Sequence, residues 1–124
     1  MILISACLLG IRCRYNNKIL TLKANDQKLI RNLIKKQNII PICPEQLGGL
    51  STPRLPATIN DDKVRTETGI DITRNFKLGA HEVVKIAKLF KVKTAYLKSH
   101  SPSCGKNGIT TRYLKKAKVK VRFI

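Results

Sequence analysis

Three short apolar runs punctuate this chain, and amphipathic segments of helical period lie between them. A final strand is expected over Val119–Phe123, and the apolar runs are Ile2–Ala6, Ile39–Ile42 and Thr94–Leu97. Their length and composition suit strands buried on both faces. From Asp26 to Lys36, Leu29, Ile30, Leu33 and Ile34 recur at helical spacing, with Lys28, Arg31, Lys35 and Lys36 opposite. Asn25 or Asp26 is the expected N-cap. A longer helix is expected from Thr73, as its cap, to near Phe90, with Phe76, Ala80, Val83, Val84, Ala87 and Phe90 inward and Gly79 a mild cost. A short helix from about Gly108 to Lys116 precedes the last strand. Strands alternating with helices predict an α/β chain, a small three-layer flavodoxin- or Rossmann-like fold with a mainly parallel sheet. At 124 residues and 43% hydrophobic, residues 1–124 are expected to form a single domain.

The segments between are less regular. Gly10 to Asn17 is rich in turn formers. Pro44 to Pro56, with Gly48-Gly49 and Thr52-Pro53-Arg54-Leu55-Pro56, is not expected to form regular helix. Lys63 to Glu67 carries a weak strand signal.

Cysteines sit where such a fold gathers ligands. Cys7 and Cys43 end the first two runs, and Cys104 follows the third. The carboxyl ends of parallel strands line one edge of an open sheet. Three thiols far apart in sequence would meet there, which points to a soft metal or an iron–sulfur cluster. Four cysteines are too few for a disulfide scaffold. No apolar stretch approaches the ~20 residues of a membrane span. The amino terminus opens on a strand-like run without signal-peptide character, so a cytoplasmic location is expected.

Charge is the other constraint. Lys+Arg 25 against Asp+Glu 7 gives +18. Such a balance attracts polyanions, nucleic acid first, or reflects a Lys-rich composition with no ligand behind it. The lysines are dispersed and aromatics make up 5%, so base stacking has few candidate rings.

Four groups of residues carry the chemistry. They are Ser5-Ala6-Cys7-Leu8-Leu9-Gly10 with Cys13-Arg14-Tyr15; Pro41-Ile42-Cys43-Pro44-Glu45 with Leu47-Gly48-Gly49-Leu50 and Thr52-Pro53-Arg54; Gly69-Ile70-Asp71-Ile72-Thr73 with Phe76 and Gly79-Ala80; and Ser101-Pro102-Ser103-Cys104-Gly105. In this order they resemble the thiouracil desulfidase family over nearly the whole chain. The resemblance implies a [4Fe–4S] cluster held by Cys7, Cys43 and Cys104, with one iron left without a protein ligand. Such an iron is a soft Lewis acid that prefers sulfur and polarises a thiocarbonyl toward water.

Glu45 is the expected general base or acid, and Ser101 the hydroxyl that orients water or relays a proton. Gly48 and Gly49, through their backbone, and Arg54 are expected at the substrate. Arg14 is a further candidate for substrate phosphate or the cluster's thiolates. Cys13 lies near enough to Cys7 to be a fourth ligand, but similar family members often have an apolar residue there, which assigns it to packing. His100 and His81 are weaker candidates for a base. The chain departs from the family pattern in a shortened Cys104–Gly108 segment, in Arg14-Tyr15-Asn16-Asn17, and at Thr58 where Glu is common.

The expected reaction is non-redox removal of sulfur, as hydrosulfide, from a thiolated pyrimidine, free or in tRNA. Sulfur delivery, an RNA-associated protein with a structural metal site, and a non-catalytic family member are the rival readings. The paired C-x-x-C spacing of zinc ribbons is absent.

Overall fold

A computed structural model describes residues 1–124. Its central sheet has four parallel strands in the order β2-β1-β5-β6, with β1 Ile2–Ser5, β2 Ile39–Ile42, β5 Thr94–Leu97 and β6 Lys120–Phe123. The helices are α1 Ala24–Lys36, α2 Pro44–Leu47, α3 Thr73–Leu89 and α4 Ile109–Lys116. A two-stranded antiparallel hairpin, β3 Ala57–Asn60 with β4 Lys63–Thr66, stands apart from the sheet. The expected α/β fold with a mainly parallel sheet is the observed one.

Side-chain alternation along the strands sorts the core into two layers. Leu3, Ile42, Ala95 and Leu97 pack with Val83 and Ala87 of α3 and Leu114 of α4. Ile4 points the other way and packs with Leu8 and with Ile30 of α1, against Ile39 and Tyr96. Burying side chains such as Leu3 or Val83 contributes about 1.5–3 kcal/mol each. A third cluster, Val64, Phe76, Ala80 and Ile109, fixes the hairpin to α3 and α4.

The chain therefore leaves β1 toward one face and returns to β5 from the other. That topological switch lies between adjacent strands β1 and β5, the place where open α/β sheets bind ligands. Ser5 stands opposite Ile42, and Ile4 opposite Tyr96, so the three strand ends are level.

Several local expectations are corrected. The α1 cap position is Lys23, without a side-chain cap bond, so neither Asn25 nor Asp26 caps. Of the predicted α1 stripe only Ile30 and Leu33 are buried, because a helix at the edge of a small sheet covers a narrow apolar strip. Thr73 is the first residue of α3 rather than its cap. Its Oγ1 accepts the Val64 N–H at 2.8 Å, and Asp71 Oδ1 accepts the Thr73 N–H at 2.9 Å. Phe90 is 54% exposed, one residue beyond the helix end. A one-turn helix, α2, forms where Pro and Gly argued against helix. Pro44 occupies the first turn, where the missing N–H costs no hydrogen bond. Strand β3 had no predicted counterpart.

The glycines Gly48 and Gly79 explain the contact of α2 with α3. A Cβ on Gly79 would overlap the Pro44 carbonyl, and one on Gly48 would overlap the Asn75 carbonyl. Asn75 Nδ2 donates to Gly48 O at 2.9 Å. What composition marked as a small helix penalty is the close approach that seats α2.

Candidate active site

A cavity of about 340 Å³ opens at the carboxyl ends of β1, β2 and β5, within the size range of small-molecule sites. Cys7, Cys13, Cys43 and Cys104 all line it. Cys7 lies in the single 3-10 turn Ala6–Leu9 that follows β1, Cys43 at the start of α2, and Cys104 in the turn after β5. Cys104 is 4% exposed and Cys13 3%. All four are free thiols.

Hydrogen bonds hold the strand ends and loops in place. Lys98 N donates to Ser5 Oγ at 2.9 Å, joining β1 to the exit of β5. Arg54 N donates to Tyr15 O at 2.8 Å, tying the loop after α2 to the loop after β1. Gly105 N donates to Ser101 O at 2.8 Å and closes the turn that carries Cys104.

Glu45 stands in the first turn of α2, and both carboxylate oxygens are engaged. Arg54 Nη2 lies 3.2 Å from Oε2, with only 11% and 12% of the two side chains exposed. Ser103 Oγ donates to Oε1 at 2.6 Å. Glu45, Arg54 and Ser101 all line the cavity beside the cysteines. Ser103 is fully buried behind that wall. No spacing singled out Ser103 in the sequence, where it reads as one more turn serine; only the fold brings it to Glu45.

Gly48 and Gly49 are not brought to the cavity. Gly48 is packed against α3 and Gly49 lies at the end of α2. Arg14 lines the cavity mouth with its guanidinium 5.9 Å from the Tyr15 ring centre, and Lys98 and His100 line it from the β5 side. His81 is exposed on α3, away from the lining. Ile72, Phe76, Leu55, Pro56 and Ala57 supply apolar wall, so the β3 hairpin and the start of α3 form part of the cavity.

The thiols perturb one another. Burial, with the Glu45 charge, pushes Cys104 up to about 12. A hydrogen bond with Cys13 raises Cys43, and burial adds to it. The hydrogen bond with Cys13 lowers Cys7 against the opposing effect of burial. Cys43 pulls Cys13 down, but its bond with Cys7 and its burial prevail and leave it at about 11. The pocket thus disfavours thiolates at three of its four cysteines, so binding a metal centre there has to displace their protons.

The donor set fits a cluster better than a single ion. No three Cys, His, Asp or Glu side chains stand close enough to hold one metal ion. A cubane instead offers each cysteine a separate iron and spans a wider gap. Cys7, Cys43 and Cys104 approach the cavity from three strand ends, as such a group requires. No helix is long and apolar enough to cross a membrane.

A family model described as 2-thiouracil desulfurase matches residues 2–122. Over 115 residues the chain is 41% identical to an uncharacterized protein, YbbK, of Bacillus subtilis (strain 168), covering 85% of this chain and 73% of that one. A solved structure, the [4Fe-4S]-dependent thiouracil desulfidase TudS, aligns with a TM-score of 0.90 and 32% identity, over 98% of this chain and 89% of its own.

Proposed function

The chain belongs to the 2-thiouracil desulfurase family, and from that premise we propose that it is a [4Fe–4S]-dependent desulfidase acting on thiolated pyrimidines. The observation that carries this reading is the gathering of Cys7, Cys43 and Cys104 with Glu45 in one cavity at the β1/β5 switch. The three thiols hold the cluster. When bound, it supplies an iron without a protein ligand, a soft Lewis acid suited to a thiocarbonyl sulfur.

The remaining work falls to the chain's own side chains. Arg54 and Ser103 fix the Glu45 carboxylate in one orientation, so a water beside it meets a preorganised base. Glu45 takes the water proton as oxygen adds to the ring carbon, and Ser101 assists proton transfer at the same wall. The proton then goes to the leaving sulfur and, as the C–S bond breaks, the carbon-bound hydroxyl gives its remaining proton back to the freed Glu45 carboxylate, so hydrosulfide departs and a uracil ring remains. Bond order and protons balance without net electron transfer. Phe76, Ile72 and Leu55 cover the ring and exclude bulk water.

The cationic Arg14 and Lys98 on the cavity lining, with the +18 charge, support a substrate that carries phosphate beyond the base, including a thiolated pyrimidine within tRNA. Free thiols suit a reducing cytoplasm. A single structural zinc finds no three-ligand group. The shortened segment after Cys104 leaves a wall in which Phe76 and the hairpin provide the cover.

Anaerobically reconstituted protein, assayed with 2-thiouracil and with thiolated tRNA for hydrosulfide, tests the proposal. Release from at least one is expected. Inactivity on both, with a full cluster present, contradicts it.

A further inference from the structure

A second surface lies at the amino-terminal edge of the sheet, opposite the cavity. There α3 and α4, which pack on the same face of the sheet, run into the same sequence, Lys91-Val92-Lys93 and Lys118-Val119-Lys120. They also end in the same backbone motif. Val92 N donates to Ala87 O at 2.8 Å and Lys91 N to Lys88 O at 3.3 Å. Likewise Val119 N donates to Leu114 O and Lys118 N to Lys115 O, both at 3.0 Å. This is the Schellman closure, in which the residue after the cap turns left-handed. Lys91 has φ 53° and Lys118 φ 63°. Glycine fits that position without strain, and Asn or Asp eases it with a short polar side chain. Lysine does neither, yet it stands there twice.

The two turns are neighbours. Thr94 lies opposite Lys120 in the parallel pair, and Lys120 N donates to Lys93 O at 2.9 Å. With Lys88 and Lys116, six exposed lysines share this edge. Residues 86–94 and 114–121 contain no Asp or Glu, and none of the six lysines is in an ion pair. The helix dipoles account for Lys88 and Lys116 in the last turns, but not for Lys93 and Lys120 at the strand starts. Beside the lysines two large apolar side chains stand out of the fold: Leu89 is 72% exposed and Phe90 54%. A nucleic-acid surface favours the arginine fork and stacked rings. Six lysines with no arginine among them, beside a protruding Leu-Phe pair, instead match the charge and the apolar layer of an anionic bilayer.

We propose that this edge docks the protein on membranes rich in anionic phospholipid. Phe90 and Leu89 enter the headgroup layer, and the six lysines meet the lipid phosphates. The parallel sheet then points the cavity, at the carboxyl ends of its strands, away from the bilayer and leaves it open. The association is peripheral, since no helix is long and apolar enough to cross a membrane. It does not depend on the desulfidase reading.

The test measures partition of the full chain, anaerobically reconstituted, onto sedimented vesicles of phosphatidylcholine with and without phosphatidylglycerol. Binding is expected only with phosphatidylglycerol, and it weakens as salt rises. Lys91→Gly/Lys118→Gly removes two charges and relieves both turns, so the fold is retained while the partition coefficient falls about 30-fold, about fivefold per lysine. Lys93→Gln/Lys120→Gln leaves both turns untouched and is expected to lose as much. Phe90→Ser, with charge unchanged, loses about tenfold. Lys28→Gln/Arg31→Gln, an equal charge loss at exposed positions of α1, stays within about twofold of wild type because it lies outside the docked surface.

Wild-type protein that ignores anionic vesicles overturns the proposal. Lysine pairs within about twofold of wild type, or an unchanged Phe90→Ser, overturn it as well. An α1 pair that loses as much as the edge pairs assigns binding to net charge alone and has the same effect. Tighter binding to a single-stranded RNA oligonucleotide than to vesicles, lost in the same edge variants, assigns the edge to nucleic acid and also contradicts the proposal.

Discussion

The Ser103 hydroxyl meets Glu45 Oε1 at 2.6 Å across 58 residues of chain, joining the turn after β5 to the first turn of α2. With Arg54 3.2 Å from the other oxygen, it leaves the carboxylate little freedom. A base held this way is specific to one water position.

Glu45→Gln retains the shape of the carboxylate and removes its basicity. Iron content is expected to match wild type while kcat falls by about 10²–10⁴-fold. Parallel iron analysis and hydrosulfide assay check this.

Serine at Cys7, Cys43 or Cys104 removes one of three soft donors and is expected to abolish a stable cluster. Cys13→Ser is expected to retain it. Absorption of the iron–sulfur band after anaerobic reconstitution reads the whole series. Loss of the cluster in Cys13→Ser alone would mean that the fourth thiol closes the iron and that substrate has no open corner.

Gly79→Ala forces a methyl group into the Pro44 carbonyl. The α2 turn has to move off α3, and Glu45 moves with it. A stability loss of about 1–3 kcal/mol is expected from the overpacking, with reduced turnover in whatever fraction stays folded. Thermal melts and kcat on the same sample check both effects.

Asp71, on the surface, is held below the ordinary carboxylate range by its hydrogen bonds to Thr73, the side-chain bond first and the backbone N–H second, aided by Lys63 and Arg65. A carboxylate depressed in the folded state adds stability above its unfolded pKa and loses it as pH falls through the folded value. Asp71→Ala is therefore expected to melt below wild type above roughly pH 5, with the two converging in stronger acid. A gap that widens toward low pH has the wrong sign.

How far the sequence carries can be judged from particular residues. Strands β1, β2 and β5 were legible because Ile2–Ser5, Ile39–Ile42 and Thr94–Leu97 are short apolar runs, and α3 because Phe76, Ala80, Val83 and Ala87 repeat at helical spacing. The meeting of Cys7, Cys43 and Cys104 followed from parallel topology alone. Strand β3 escaped because Thr58 and Asn60 face solvent and Pro56 precedes it, so pairing with β4 rather than local preference forms it. α2 escaped because Pro44 and Gly48 signal a loop locally, while their use in packing against Gly79 and Asn75 is a tertiary matter. Ser103 was invisible for the same reason: its partner is distant in sequence.

The central claim is a three-cysteine iron–sulfur centre in the β1/β5 cavity, and elemental analysis of anaerobically purified protein tests it most directly. Iron and acid-labile sulfide in a one-to-one ratio, with the visible charge-transfer band and no stoichiometric zinc, is the predicted result. Stoichiometric zinc without sulfide, or protein that takes up neither after reconstitution with iron and sulfide, would contradict it.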